Sequence, residues 1–199
     1  FAGGANSVRG FSQSRLGPRV LVTSLDRLLS QGVGGAGCTP ASVADRSCDA
    51  SAMPDGSFQV RPTGGARVLE ANAELRFRLA SWLEGVTFTD VGQAWASGAG
   101  LSLDDLEFSP GMGIRFPSPV GPIRLDVAYR FRGGEFLDVV TPQITPFDAQ
   151  VHDLTDRIVV DGGTLPWVRT EELALLDPAV LFGEREGRIQ VHISIGQAF

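Results

Sequence analysis

Residues 67–79 read Arg67-Val-Leu-Glu-Ala-Asn-Ala-Glu-Leu-Arg-Phe-Arg-Leu79, and apolar and polar side chains alternate along the whole stretch. Leu69, Leu75 and Phe77 fall on one side, whereas charged residues such as Glu74 fall on the other. A hydrophobic period of two predicts a β-strand with one apolar face and one polar face. The stretch is also far longer than the roughly six residues of an average strand in a soluble protein.

The same alternation predicts four further strands, at about residues 84–96, 106–117, 122–132 and 188–199. The connections at 80–83 and 118–121 are tight turns, whereas 1–65 and 133–186 are long loops. Long strands joined by short and long connections in turn are typical of transmembrane β-barrels with short periplasmic turns and long extracellular loops. We therefore predict an all-β fold, a wall of an antiparallel transmembrane β-barrel, in preference to a soluble β-sandwich.

Five strands cannot close a barrel, because about eight is the smallest number that does. An open sheet edge in lipid leaves backbone groups unpaired, at several kcal/mol each. We therefore expect the chain to be a piece of a larger barrel whose other strands lie upstream or on another chain. The predicted parts are an extracellular loop (1–65), for which a family resemblance described below implies folding into the lumen, four transmembrane strands (66–132), a second extracellular loop (133–186) and a last strand (187–199). Thr170-Glu-Glu-Leu predicts the start of a short helix within the second loop.

The composition excludes several classes of function. The net charge of -6 comes with no basic patch, which argues against a nucleic-acid partner. No stretch approaches the roughly 20 apolar residues of a membrane helix. His152 and His192 have no metal-ligand spacing, so we predict no metal and no cofactor. Serine, histidine and aspartate form no recognisable catalytic arrangement, and we predict that the protein is not an enzyme.

The two cysteines, Cys38 and Cys48, lie close together in one polar segment. Two neighbouring cysteines in such a loop predict a disulfide and an oxidising compartment.

Residues 1–11 form an apolar, glycine-rich segment with a single charge, Arg9, between Val8 and Gly10. Glycine permits backbone turns that other residues resist. A guanidinium cannot be neutralised, so a buried arginine requires carboxylate partners. Taken alone, the segment is equally compatible with such a buried arginine and with a surface loop whose arginine is solvated.

Several blocks of the sequence resemble, in order, the C-terminal part of BamA-like outer-membrane assembly factors, a superfamily that also includes TamA and the two-partner secretion transporters. The blocks are Asn6-Ser-Val-Arg-Gly-Phe11, Leu16-Gly-Pro18, Ala73-Glu-Leu-Arg-Phe77, Phe88-Thr-Asp-Val-Gly92 with Trp95, Ser118-Pro-Val-Gly-Pro122 and Ile195-Gly-Gln-Ala-Phe199. Each block is weakly specific by itself, and their combination along nearly the whole chain is specific.

This resemblance implies a barrel of about 16 strands, of which the chain supplies the sixth long outer loop and the last five strands. It also implies that the arginine of the Val-Arg-Gly-Phe motif folds back into the lumen and pairs with acidic residues of the wall. The implied lumenal loop lock consists of Val8, Arg9, Gly10, Phe11, Glu74 and Asp90. The alternation of the sequence independently places Glu74 and Asp90 on polar strand faces.

For the last strand, the resemblance implies a lateral gate and a C-terminal recognition signal. Gly196 matches a glycine at which the final strand can kink, and glycine weakens a strand. Phe199 matches the terminal aromatic residue of the signal. Ile193 and Ile195 belong to the same predicted strand. An incoming substrate strand would add to its exposed edge.

The resemblance thus implies an assembly factor of the bacterial outer membrane that inserts and folds β-barrel proteins. Its implied partners are unfolded outer-membrane β-barrel substrates, outer-membrane lipids and lipopolysaccharide, and lipoproteins of the assembly machinery. Two alternatives stay open: a two-partner secretion-type pore that exports one passenger, and a barrel anchor for a fused N-terminal enzyme.

Overall fold

A computed structural model describes residues 2–119, 121–131, 134–183 and 187–196. Within these residues the fold is all-β, with ten strands and two one-turn α-helices. In chain order they are β1 (Arg19–Val22), α1 (Leu25–Leu29), α2 (Pro40–Ala44), β2 (Gln59–Pro62), β3 (Arg67–Ala80), β4 (Leu83–Trp95), β5 (Glu107–Phe116), β6 (Ile123–Tyr129), β7 (Glu135–Pro146), β8 (Arg157–Val160), β9 (Gly163–Phe182) and β10 (Ile189–Ile195). No helix in the described part of the chain is both long and apolar enough to cross a membrane.

The chain divides into two compact units. The first, here called the wall unit, comprises Phe1–Pro18, Pro62–Gly133 and Arg185–Phe199. The second, here called the disulfide unit, comprises Arg19–Arg61 and Gly134–Glu184.

The wall unit contains one antiparallel five-stranded sheet with the order β10-β6-β5-β4-β3. Its strands lie where the alternation predicts them, although β6 is shorter than predicted, and the last three residues of the predicted final strand lie outside the described part of the chain. β3 and β4 pair from Arg67↔Trp95 to Ala80↔Leu83, and β10 pairs with β6 from Ile189↔Tyr129 to Ile195↔Ile123. In the described part of the chain, β3 and β10 each have one strand neighbour, as expected for part of a larger sheet.

One face of the wall sheet exposes the apolar half of the alternation. Its exposed large side chains include Leu69, Leu75, Phe77, Leu79, Met112, Ile123, Val127, Tyr129, Ile189, Val191, Ile193 and Ile195. Two aromatic pairs lie near strand ends: Trp82 stacks on Phe116 at 5.9 Å, and Tyr129 meets Phe131 edge-on at 5.2 Å. Trp95, at the end of β4, is buried instead, and its indole N–H donates to Asp105.

The disulfide unit shows that the two predicted loops contain regular structure. Parts of the segments predicted as the loops 1–65 and 133–186 form a second five-stranded sheet, of order β2-β1-β7-β9-β8. β1 pairs with β7 in parallel, and the long strand β9 pairs antiparallel with β7 and with β8. Each segment supplies only some strands of this sheet, so the sequence of either segment alone does not show the pattern of a folded sheet.

The core of the disulfide unit is shared between those two segments. The first segment contributes Leu21, Leu25, Leu28, Leu29, Val43, Cys48, Ala50, Met53 and Phe58, and the second contributes Leu137, Val139, Ile144, Ile158, Leu176, Val180 and Phe182. The short helix predicted from Thr170 is therefore wrong, because residues 170–176 lie in β9. There Ala174 and Leu176 are buried, whereas Leu173 and Leu175 are exposed, which is the period of a strand.

Cys38 and Cys48 form a disulfide in this unit, with a Cα–Cα distance of 5.6 Å. Cys48 is buried in the core, and Cys38 packs against it. Short serine–aspartate turns flank Cys48 on both sides. Hydrogen bonds from Ser47 lower the pKa of Asp45, and those from Ser51 lower the pKa of Asp49.

Breaking the disulfide is expected to destabilise the disulfide unit selectively. The bond closes a sequence separation of 10 residues, which corresponds to about 3 kcal/mol in the chain-entropy description. In the Cys38→Ser/Cys48→Ser double variant, amide hydrogen exchange should accelerate in β7 and β9, while β3 and β4 of the same molecules serve as the internal control. Unchanged exchange in β7 and β9 would show that the sheet does not depend on the bond.

Candidate functional site

Strand register places the acidic side chains of β3 and β4 on the polar face of the wall sheet. Asn72 lies opposite Asp90, and Glu74 lies opposite Phe88. Because side chains two residues apart share a face, Glu74 and Asp90 project to the same side. Asp90 is almost completely buried. The sheet thus provides two neighbouring carboxylates where the sequence predicts them.

The motif loop, residues 2–18, packs on this polar face. Val8 and Phe11 are buried and cluster with Ala2, Leu16 and Ala94. The loop closes on itself through hydrogen bonds from the Ser7 amide to the Gly4 carbonyl and from the Phe11 amide to the Val8 carbonyl. The segment is therefore a docked structure and not a solvated surface loop.

Arg9 is the centre of the docked loop, with 2% of its surface exposed. Its Nε and Nη2 donate to the two oxygens of Asp90, both at 2.8 Å, and its backbone N–H donates to Asp90 at 2.9 Å. Nη1 donates to Glu74 Oε2 at 3.1 Å. The guanidinium carbon lies 3.3 Å from the centroid of the Phe88 ring, which adds a cation–π contact. Arg9 is thus held by a bidentate ion pair, a second carboxylate and an aromatic face.

A third carboxylate, Asp126 on β6, belongs to the same network and was not predicted from the sequence. Its Oδ2 lies 3.5 Å from Arg9 Nη1. Arg115 donates to both of its oxygens, at 2.5 and 3.2 Å, and Arg124 Nη2 lies 3.3 Å away. Arg115 also reaches Glu74 at 3.6 Å. The alternation placed these side chains on the polar face, and only the register shows that they meet.

The network consists of paired charges. Three buried arginines (Arg9, Arg115 and Arg124) face the buried Asp90 and Asp126 and the partly buried Glu74, and the exposed Arg76 also pairs with Glu74 at 2.7 Å. Buried ions are tolerated when they are paired and hydrogen-bonded, and loss of one partner leaves an uncompensated charge. Nothing in the described part of the chain groups three metal-ligating side chains as a metal site requires. The arrangement is suited to fixing the loop in position.

Three glycines provide the space in which the network packs. A Cβ on Gly10 would lie 2.4 Å from Ser109 Oγ, so the loop approaches β5 closely at this point. A Cβ on Gly111 would lie 2.3 Å from the Phe88 ring, and one on Gly113 would lie 2.0 Å from Asp126 Oδ1. These contacts are shorter than real Cβ contacts. The glycines of the motif and of β5 are therefore required sterically.

Substitution of Gly92 by alanine is expected to weaken docking of the loop. A Cβ at this position would lie 2.8 Å from Val8 Cγ2 and 2.9 Å from the Leu69 carbonyl oxygen. Overpacking of this kind costs about 1–3 kcal/mol. Protease sensitivity of residues 2–18 in the full-length protein should rise. The Val8→Ala/Gly92→Ala double variant should recover part of the loss, and equal sensitivity of the two variants would show that Val8 is not the clashing group.

The residues assigned to the last strand lie apart from the lock. Ile193 and Ile195 on β10 are exposed on the apolar face of the sheet. Gly196 directly follows β10 with φ +97°, a conformation that favours glycine, and its N–H donates to the Pro122 carbonyl at 2.9 Å. Phe199 lies outside the described residues.

Comparison with known proteins agrees with this architecture. The profile of the Omp85 superfamily domain matches residues 1–139, which include the motif loop, β3 to β6 and all three carboxylates of the network. A search of curated proteins found no match. The match covers more than half of the chain. The chain therefore belongs to the Omp85 superfamily, a family of outer-membrane β-barrel proteins involved in protein insertion or translocation.

Proposed function

We propose that the chain is the C-terminal part of a non-enzymatic assembly factor that inserts and folds β-barrel proteins in the bacterial outer membrane. The docked loop carries the proposal: Arg9 is buried on carboxylates from three strands of one sheet. Such a lock would hold β3, β4 and β6 in a single arrangement on the polar face of the wall sheet. The last strand can then exchange its neighbour without collapse of the lumen.

We place the lateral gate of the proposal at β10, an edge strand of the wall sheet in the described part of the chain. β10 spans only Ile189–Ile195 and pairs with β6 alone in the described part of the chain. An unpaired strand edge is a template for another strand, and an extended substrate segment can add to it by backbone hydrogen bonds. We infer that unfolded outer-membrane β-barrel substrates join the wall at this edge. The remaining strands of the barrel, upstream or on another chain, would close its other side.

Contact with lipid is supported by the exposed apolar face of the wall sheet. Its side chains alternate with the charged, paired residues of the inner face, as in a wall between lipid and lumen. We propose that the five wall strands cross the outer membrane and contact its lipids and lipopolysaccharide. Assembly-machinery lipoproteins would bind other parts of the full-length protein.

We propose no chemical reaction for this chain. Among the described residues, the buried charges of this face are committed to one another, Arg9 to Asp90 and Arg115 to Asp126. Assembly instead uses the free energy of strand pairing and of burial of the substrate in lipid. A secretion-type pore or an enzyme anchor would give different outcomes in the following experiment.

Reconstitution of the full-length protein in liposomes tests the proposal. Two unrelated outer-membrane β-barrels, unfolded in urea, are added, and their folding is followed by the shift in gel mobility of unheated samples. Folding of both should be faster than in empty liposomes, and Arg9→Gln should reduce the acceleration more than Arg78→Ala, an exposed arginine of β3. Passage of one passenger protein with no acceleration of either barrel would contradict the proposal and favour a pore.

A further inference from the structure

The inner face of the last strand is joined to the motif loop by two hydrogen bonds. His192 Nε2 lies 2.8 Å from the carbonyl oxygen of Arg9, and Ser12 Oγ lies 3.1 Å from Gln190 Oε1. A carbonyl oxygen can only accept, so Nε2 of His192 carries the proton and donates. Gln190 and His192 alternate with the exposed apolar residues of β10 and are both partly buried. Two neighbouring inward positions of the strand thus contact the loop.

Arg9 therefore connects two distant strands of the sheet. Its backbone N–H and guanidinium bind Asp90 on β4, whereas its carbonyl oxygen binds His192 on β10. In the sheet, β5 and β6 lie between these strands. Three inter-strand spacings of about 4.8 Å amount to roughly 14 Å along the sheet. One residue of the loop bridges this distance and holds both strands.

We propose that Gln190 and His192 are positioning residues that couple the last strand to the motif loop, so that displacement of β10 and release of the loop occur together. The role of this coupling in assembly rests on the proposed function. A substrate strand that displaced β10 at the gate would then also loosen the contacts of Arg9. The contact itself is independent of that function. Coupling between two sites is reciprocal, so loosening of either element must loosen the other.

The expected size of the effect follows from the strength of one hydrogen bond. The net contribution of one neutral hydrogen bond to stability corresponds to a roughly 2- to 12-fold change in the equilibrium constant for opening of the loop. The bonds of Gln190 and His192 lie on the same strand and contact the same loop. Their effects are therefore not expected to multiply independently.

Hydrogen exchange measured by mass spectrometry on the full-length protein in lipid nanodiscs tests the coupling. His192→Phe keeps a ring but removes the donor, His192→Gln restores a donor, and Ser194→Ala changes the next inward position of β10. His192→Phe should accelerate exchange of the amides of Arg9 and Phe11 by roughly 2- to 12-fold. His192→Gln should return most of the protection, and Ser194→Ala should leave it unchanged. Gln190→Ala provides a second test if His192→Phe does not fold.

The reciprocal measurement uses Arg9→Gln, with Arg78→Ala as the control. Arg9→Gln should accelerate exchange of the β10 amides, whereas Arg78→Ala should not. Unchanged loop exchange in both His192→Phe and Gln190→Ala, or unchanged β10 exchange in Arg9→Gln, would overturn the coupling. Coupled exchange in a protein that fails to accelerate barrel folding would uphold the coupling and overturn only the proposed function.

Discussion

Replacement of Arg9 by glutamine is expected to release the motif loop from the polar face of the wall sheet. The change removes the bidentate pair with Asp90, the bond to Glu74 and the contact with the Phe88 ring. It also leaves the buried Asp90 without its bidentate partner. Breaking a buried ion pair by removing one partner costs about 3–5 kcal/mol, which is enough to undock a short loop.

Limited proteolysis of the full-length protein in a bilayer measures this release. New cleavage within residues 2–18 is expected for Arg9→Gln, and the Arg78→Ala control should remain protected. Arg9→Lys should give an intermediate result, because lysine keeps the charge but lacks the planar fork that binds two carboxylate oxygens. Full protection of the loop in Arg9→Gln would show that the loop is held by apolar contacts of Val8 and Phe11 instead.

Substitution of Asp126 by asparagine is expected to destabilise the wall unit by a similar amount, about 3–5 kcal/mol. Asp126 compensates Arg115 and Arg124 and lies near Arg9. Without its charge, three buried arginines would share the two carboxylates of Glu74 and Asp90. Arg115 and Arg124 are direct cross-strand partners, so their repulsion would act on the β5–β6 pairing.

A charge-restoring variant distinguishes electrostatics from packing at this position. Thermal loss of the compact form, followed by gel mobility, should occur at lower temperature in Asp126→Asn and change little in Glu172→Gln, an exposed residue of β9. Asp126→Asn/Arg124→Gln has equal numbers of buried charges again and should recover part of the stability. If the loss of stability in the double variant equals the sum of the losses in the two single variants, charge imbalance is not the cause.

The wall sheet was predictable because each of its strands shows the alternation by itself. The partners of Arg9 on β3 and β4 were expected from the family resemblance together with the polar face of those strands. Asp126 was not, because its meeting with Arg115 and Arg9 depends on the register of β5 and β6 and on the space left by Gly113. Sequence spacing carries no information about either.

The disulfide unit was missed for a different physical reason. Its core brings Leu21 and Leu28 together with Val139 and Leu176, which lie more than a hundred residues further along the chain. Each segment alone contains too few apolar residues, and the prolines of β7 and β9 read as loop signals. A bipartite core of this kind becomes visible only when both segments are in place. The cysteine pair was a local indication of ordered structure there that the structure confirms.

Depletion of the full-length protein from its own cell, followed by quantitation of all outer-membrane β-barrel proteins, is the most direct test of the assembly role. A general fall across unrelated barrels is expected from the proposed function, because the proposed gate would accept many substrates through backbone pairing. Loss of a single secreted protein, with the other barrels at normal levels, would contradict the assembly role and identify the chain as part of a dedicated translocation pore.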